Sequence, residues 1–173
     1  MERYTESASP GGRRRWLVLY LKPRHEKKSL RLMLDGGIES LLPLREELHQ
    51  WKDRKKHVDV PLFPGYLFVH VNERERIAAL ETAGALKYVH FGGAIAVVRQ
   101  ETIDALQLAL TRRADVRVEE TWLDAGAEVT VRHGPLAGLK GILLEHRGQT
   151  RVAVRIEAIR QSVSVEVAVA DLL

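Results

Sequence analysis

The order of apolar and polar positions divides the chain into two textures. Trp16-Leu-Val-Leu-Tyr-Leu21 is an unbroken apolar and aromatic run, which predicts a buried strand. Lys22-Pro23 ends it, since proline holds the residue before it in extended geometry. From Arg24 the spacing turns helical, with Leu30, Met33 and Leu34 on one face and Gly36-Gly37 as the stop. Ile38–Leu44 reads as extended and runs into a polar, hairpin-like stretch that reaches Val60. After the turn residues Pro61-Leu-Phe-Pro-Gly65 comes a second clear strand, Tyr66-Leu-Phe-Val-His-Val71. Its Tyr66 and Phe68 share one face because strand side chains alternate. Asn72 and Glu75 have the spacing of a reciprocal cap for a helix that ends near Gly84. Leu86–Phe91 and Ala94–Val98 predict two short strands about Gly92-Gly93. A third helix from about Gln100 points Ile103, Leu106 and Leu110 inward.

Thr111–Thr121 has no coherent apolar period and is rich in charge, so it reads as a linker. Beyond it helical spacing disappears. Val129–Val131, Gly141–Leu144, Arg151–Ile156 and Ser162–Val167 are β-branched alternations at short intervals, the pattern of a small barrel. The expected organisation is a tail over 1–14, a mixed domain over 15–112, a linker over 113–122 and an all-β domain over 123–173. The fold class is α+β: an N-terminal α/β sandwich followed by a small all-β barrel.

Charge sharpens this division. The net charge is +4, and residues 1–71 carry 14 Lys/Arg against 9 Asp/Glu, whereas the remaining 102 carry 13 against 14. Arg13–Arg31 holds eight basic residues and one acid, Glu26. Such a segment suits an anionic partner, with a solvated basic face as the plain alternative. The sequence has no cysteine, which removes disulfides and thiolate metal sites. The seven histidines are scattered, and no Gly-x-Ser-x-Gly elbow is present, so neither a metal site, a cofactor nor an enzyme is expected. The polar start and short apolar runs predict a cytoplasmic protein.

Two motifs carry a family resemblance. Val129-Thr-Val-Arg-His-Gly134-Pro135-Leu-Ala-Gly138-Leu-Lys-Gly141-Ile-Leu143 places three glycines at spacings of four and three between two strands. It resembles the KOW motif, with Leu136 and Leu139 where phenylalanine is frequent. It is not a phosphate-binding loop, because Leu139 separates Gly138 from Lys140 and neither Ser nor Thr follows the lysine. In the first half, Trp16–Lys22, Leu62-Phe-Pro-Gly-Tyr-Leu-Phe-Val69 and Val89-His-Phe-Gly92 resemble, in order and spacing, the N-terminal domain of NusG-type transcription factors. Lys22-Pro-Arg-His-Glu-Lys-Lys28 and Gln50-Trp-Lys-Asp-Arg-Lys-Lys56 are similar to specialised paralogues of the RfaH and UpxY kind.

That resemblance implies a transcription elongation or antitermination factor, probing RNA polymerase at the clamp helices of the β′ subunit. Trp16, Tyr20, Phe63, Tyr66 and Phe68 match the docking cavity, although the same rings would also serve as core. Lys22, Arg24, His25, Lys27 and Lys28 match the contact to the non-template DNA strand. Gly134, Pro135, Gly138 and Gly141 mark the KOW domain, whose implied partner is a small-subunit ribosomal protein. Glu73-Arg-Glu-Arg-Ile77 departs from the family's contact to the β gate loop, so none is carried over. Ala158-Ile-Arg-Gln161 replaces the Phe-Gly pair of the general factor, which argues against Rho recruitment and for an operon-specific antiterminator. The alternatives are a housekeeping NusG and a ribosome-associated RNA-binding KOW protein. The Lys52–His57 run is expected to be a solvated hairpin.

Overall fold

A computed structural model describes residues 12–51, 53–112, 115–119, 123, 126–146 and 148–172. Positions 1–11 of the expected tail, Lys52, and positions 113, 114 and 120–122 of the expected linker lie outside them. The chain forms β1 (Arg15–Leu21), α1 (Glu26–Asp35), β2 (Glu39–Leu41), β3 (Leu44–Gln50), β4 (Lys55–Pro61), β5 (Tyr66–Val71) and α2 (Glu73–Glu81). The short strands β6 (Ala85–Tyr88), β7 (His90–Phe91), β8 (Ala94–Ile95) and β9 (Val97–Val98) follow, then α3 (Gln100–Ala109). The last elements are β10 (Arg117–Val118), β11 (Glu128–Thr130), β12 (Lys140–His146), β13 (Gln149–Ile156) and β14 (Gln161–Glu166). The fold class is the expected one, a mixed α/β part followed by an all-β sheet. The described chain divides into two compact units. One comprises the chain up to Leu42 with Gly65–Val97; the other comprises Pro43–Pro64 with everything from Val98 onward.

In the first unit the strands run in the order β2-β5-β1-β6, with β1 antiparallel to both neighbours. Leu17, Leu19, Leu67 and Val69 are fully or almost fully buried, as a central strand pair requires. The second helix begins as predicted: the Asn72 side chain accepts from the backbone of Arg74 and Glu75, while Glu75 returns a bond to the Asn72 N–H. Tyr88 is buried and donates its hydroxyl to the carbonyl of Arg76 at 2.8 Å, fastening β6 to α2.

The first helix differs from its predicted orientation. It starts at Glu26 rather than Arg24, because Arg24 sits in the left-handed region with φ 65°. Its inward line is Glu26, Ser29 and Met33, while Leu34 is 51% exposed. Two hydrogen bonds of Glu26 and Ser29, described below, set this rotation against the apolar pattern. The predicted strand pair over 86–98 is also broken finer, into four two- to four-residue strands.

In the second unit five antiparallel strands run β10-β14-β13-β12-β11. Gly141 in β12 is required by close approach, since a Cβ there would overlap the carbonyl oxygen of Ala153 on β13. The third helix packs against β13 and β14 and buries Ile103, Leu106 and Ala109. Ala109 therefore takes the inward place expected for Leu110, which is half-buried in the 3-10 turn that ends the helix. Arg117–Val118, inside the expected linker, pairs with Ser164 and Val163 of β14.

A buried arginine explains that pairing. Arg151 of β13 is only 2% exposed. Its Nε donates to the Ser164 hydroxyl at 2.8 Å, and its Nη2 donates to the carbonyls of Asp115 and Ser164 at 2.7 and 2.9 Å. The Ser164 hydroxyl in turn donates to the Glu119 carboxylate. Burial, and then the nearby charge of Arg117, draw the Arg151 pKa below the usual guanidinium range. An apolar periodicity carries no trace of such a clasp, so the strand was invisible to it.

Burial pushes the Tyr88 phenol up to about 12. The folded chain thus keeps a proton that the unfolded chain has lost, and stability falls as pH rises from about 10 towards about 12. Absorbance titration should show one tyrosine ionising well after the others, and Tyr88→Phe should abolish that late step. The substitution should also cost about 1 kcal/mol in urea unfolding, because the Arg76 carbonyl loses its donor.

Candidate protein and nucleic-acid interface

The strand register brings two predicted residues together. Tyr20 on β1 lies directly opposite Tyr66 on β5, and their rings meet edge to face at 5.5 Å between centroids. Tyr20 is 37% exposed and Tyr66 is half-buried, so this pair presents aromatic surface with polar tips. Gly65 supports it from below. Its φ is 81°, and a Cβ there would come within 3.2 Å of the Tyr20 ring, so only glycine lets the turn lie against that ring.

The other aromatic positions sit differently. Trp16 and Phe68 share the Tyr20/Tyr66 face by strand parity, since Val18 opposes Phe68 and Trp16 opposes His70. Both are buried, at 5% and 0% exposure. Phe63 belongs to the second unit and is buried as well. The Trp16 indole stacks on His70 at 4.9 Å, and His70 Nδ1 lies 2.7 Å from a Glu39 carboxylate oxygen. His70 and Glu39 were not singled out from the sequence. Alternation along β5 would have put His70 on the aromatic face, but its partner on β2 depends on strand pairing.

In the same unit as the tyrosine pair, the predicted basic residues lie on the Lys22–His25 turn and the first turn of α1 that follows it. The His25 N–H donates to the Lys22 carbonyl at 3.1 Å, closing a turn with Pro23 second and Arg24 third. Proline suits the second place, and the third requires the left-handed conformation usually given to glycine. An arginine held there costs on the order of 1 kcal/mol, strain that concentrates at functional sites. Lys22, Arg24, Lys27 and Lys28 are exposed, and His25 is half-buried with Nδ1 donating to the Pro23 carbonyl at 3.1 Å. That bond leaves Nε2 as the acceptor of the neutral ring.

Glu26, the one acid in the run, is turned inward. It is 6% exposed and accepts from the Gly65 N–H at 2.9 Å, while the Gly65 carbonyl accepts from Leu21 N–H at 2.7 Å. The Ser29 hydroxyl donates to the Ala83 carbonyl at 2.8 Å, and Lys22 N–H donates to the Gly84 carbonyl at 2.8 Å. The basic turn is thereby braced on two sides, against the Gly65 turn and the 83–84 turn. Nothing in the apolar pattern pointed to Glu26 or Ser29, because both act through backbone groups distant in sequence.

In the second unit the predicted glycine motif forms the β11–β12 connection. Val131 N–H donates to the Leu139 carbonyl at 2.9 Å, Gly138 N–H donates to the Val131 carbonyl at 2.8 Å, and Gly134 and Pro135 between them are exposed. Leu136 and Leu139 are buried beneath it. Among the described residues no cluster of three or more His, Asp or Glu side chains could hold a metal ion. No helix among them is long and apolar enough to cross a membrane.

The first unit thus carries a tyrosine pair and a braced cationic turn on an antiparallel sheet with helices, and the second unit carries a five-stranded antiparallel sheet. Residues 14–107 match the family model described as Transcription termination factor nusG. That match spans more than half of the chain, which therefore belongs to the NusG family. Members are transcription elongation and termination factors that interact with RNA polymerase, and are not enzymes. The chain is also similar to a solved structure described as "Domain interaction in Thermotoga maritima NusG". The two are 20% identical, with 92% of this chain and 96% of the other covered and a TM-score of 0.49.

Glu26→Ala should lower stability by about 1–3 kcal/mol in urea unfolding, since the Gly65 N–H is left buried without an acceptor. Glu26→Gln keeps an acceptor oxygen and should recover most of that loss. Equal losses in the two variants would refute the assignment of the carboxylate to the turn.

Proposed function

We propose that this chain is an operon-specific elongation and antitermination factor that docks on the clamp helices of the polymerase β′ subunit. The observation that carries the reading is the Tyr20–Tyr66 pair, exposed at Tyr20 and half-buried at Tyr66, with a cationic turn in the same unit. Tyrosines with exposed tips are common anchors of protein interfaces. Trp16 and Phe68 are on the same strands and the same face, and Phe63, in the other unit, is the remaining residue that the family resemblance assigns to polymerase binding.

In this reading residues 15–112 act as the polymerase-binding domain and 123–173 as a KOW domain, in a cytoplasmic protein. Lys22, Arg24, Lys27 and Lys28 neutralise phosphates of the non-template DNA strand, and His25 offers a base-directed nitrogen. Turning Glu26 inward supports this, because the outer surface of the turn is then cationic without an interleaved acid. The glycine loop from Gly134 to Gly141 marks the surface of the KOW domain, with a small-subunit ribosomal protein as its partner. The segment Ala158–Gln161, which runs from the 3-10 turn Glu157–Ile159 through left-handed Arg160 into β14, lacks the Phe-Gly pair and supports antitermination over Rho recruitment.

Binding of the purified chain to an isolated β′ clamp-helix fragment tests the docking. Tyr66→Ala should weaken it by about 30-fold, the scale of an interface hot spot, while circular dichroism stays unchanged. Unchanged affinity would remove the tyrosine pair from the interface. Lys22→Gln/Arg24→Gln should spare clamp-helix binding and reduce the salt dependence of single-stranded DNA binding by a log–log slope of about 1.4, two phosphate contacts' worth. An unaltered slope would sink the DNA assignment.

A further inference from the structure

The β3–β4 hairpin is a two-stranded ribbon to which no third strand pairs among the described residues. Seven register pairs run from Leu44 opposite Pro61 to Gln50 opposite Lys55, so the ribbon extends about 23 Å. Trp51 N–H closes the tip by donating to the Arg54 carbonyl at 2.8 Å. A solitary ribbon gains little stability by itself, and an indole at its free end buries little against the fold. Trp51 is accordingly 59% exposed.

Behind the tip, Glu46 pairs with His57 at 3.2 Å, and Glu47 pairs with Arg45 and, at 3.1 Å, with His49, which lies opposite Lys56. At the tip Arg54, Lys55 and Lys56 are consecutive and exposed, with Asp53 as the one neighbouring acid in sequence. These three have no ion pair among the described residues. An exposed aromatic face beside several cations is the chemistry that takes an unpaired base and its flanking phosphates. A protein partner fits less well, because Trp51 and Leu48 are the large exposed apolar side chains of the ribbon among the described residues, a smaller apolar surface than an interface core requires.

We propose that the tip of this hairpin is a second nucleic-acid site, taking single-stranded RNA. Trp51 stacks on an unpaired base, and Arg54, Lys55 and Lys56 hold the adjoining phosphates. The choice of RNA rests on the polymerase reading above. There the DNA strand is assigned to the Lys22–Lys28 turn of the other unit, and the other single strand that an elongating polymerase releases is its transcript.

The test is fluorescence anisotropy with a labelled oligouridine, the deoxy oligomer of the same sequence and a duplex, using the full chain. Trp51→Ala should weaken oligouridine binding on the order of tenfold, and Trp51→Phe should restore most of it. Replacing Arg54, Lys55 and Lys56 by Gln should reduce the log–log salt slope by about 2. Both variants should bind the clamp-helix fragment as the wild type does. Unchanged RNA affinity in Trp51→Ala, or a preference for duplex, would overturn the site. Tighter binding of the deoxy oligomer through Trp51 would overturn the choice of RNA. Trp51-dependent RNA binding by a chain that ignores the clamp-helix fragment would uphold the site and sink the polymerase reading alone.

Discussion

The Glu26 carboxylate is the fixed point on which the proposed interface of the first unit depends. Accepting from the Gly65 amide, it ties the first turn of α1 to the turn that precedes β5. The same glycine accepts from Leu21 at the end of β1 and carries the Tyr20 ring on its face. One hydrogen-bonded carboxylate thus sets the path of the basic turn, the rotation of the helix and the seat of the tyrosine pair. Its burial is tolerated because a backbone donor satisfies it, and it carries the acid of this segment away from the outer surface.

The second unit has a counterpart of opposite charge. Arg151 reaches through the sheet to the backbone of Asp115 and Ser164 and turns a charge-rich connection into the edge strand β10. A guanidinium can do this because its fork of donors serves several acceptors at once. In both units a single ionic side chain, satisfied largely by backbone or hydroxyl oxygens and amides, decides geometry that apolar packing leaves open.

The two nucleic-acid surfaces proposed for the chain are built differently. The Lys22–Lys28 turn is braced by backbone bonds on two sides and holds Arg24 in a strained conformation, as befits a contact that positions one strand. The hairpin is a two-stranded ladder to which no third strand pairs among the described residues. It offers a stacking face and exposed cationic side chains, a combination that tolerates many sequences.

The sequence by itself determined the elements and their class. Alternation and apolar runs specify β1 and β5, the Asn72–Glu75 pair specifies the start of α2, and β-branched spacing specifies four strands of the later sheet. These are local signals, written within a few residues of where they act. The family, too, was legible in motif order, and so was the clustering of Lys22–Lys28, which needs only a turn and a helix start. Tertiary structure alone decided that Glu26 and Ser29 face inward while Leu34 does not, that Trp16 and Phe68 are buried while Tyr20 is not, and that residues 117–118 form a strand. Each of those outcomes depends on a partner far along the chain: Gly65, Ala83, the register of β1 against β5, or Arg151. Periodicity records how apolar a face is, but it does not record which distant backbone group a polar side chain will find.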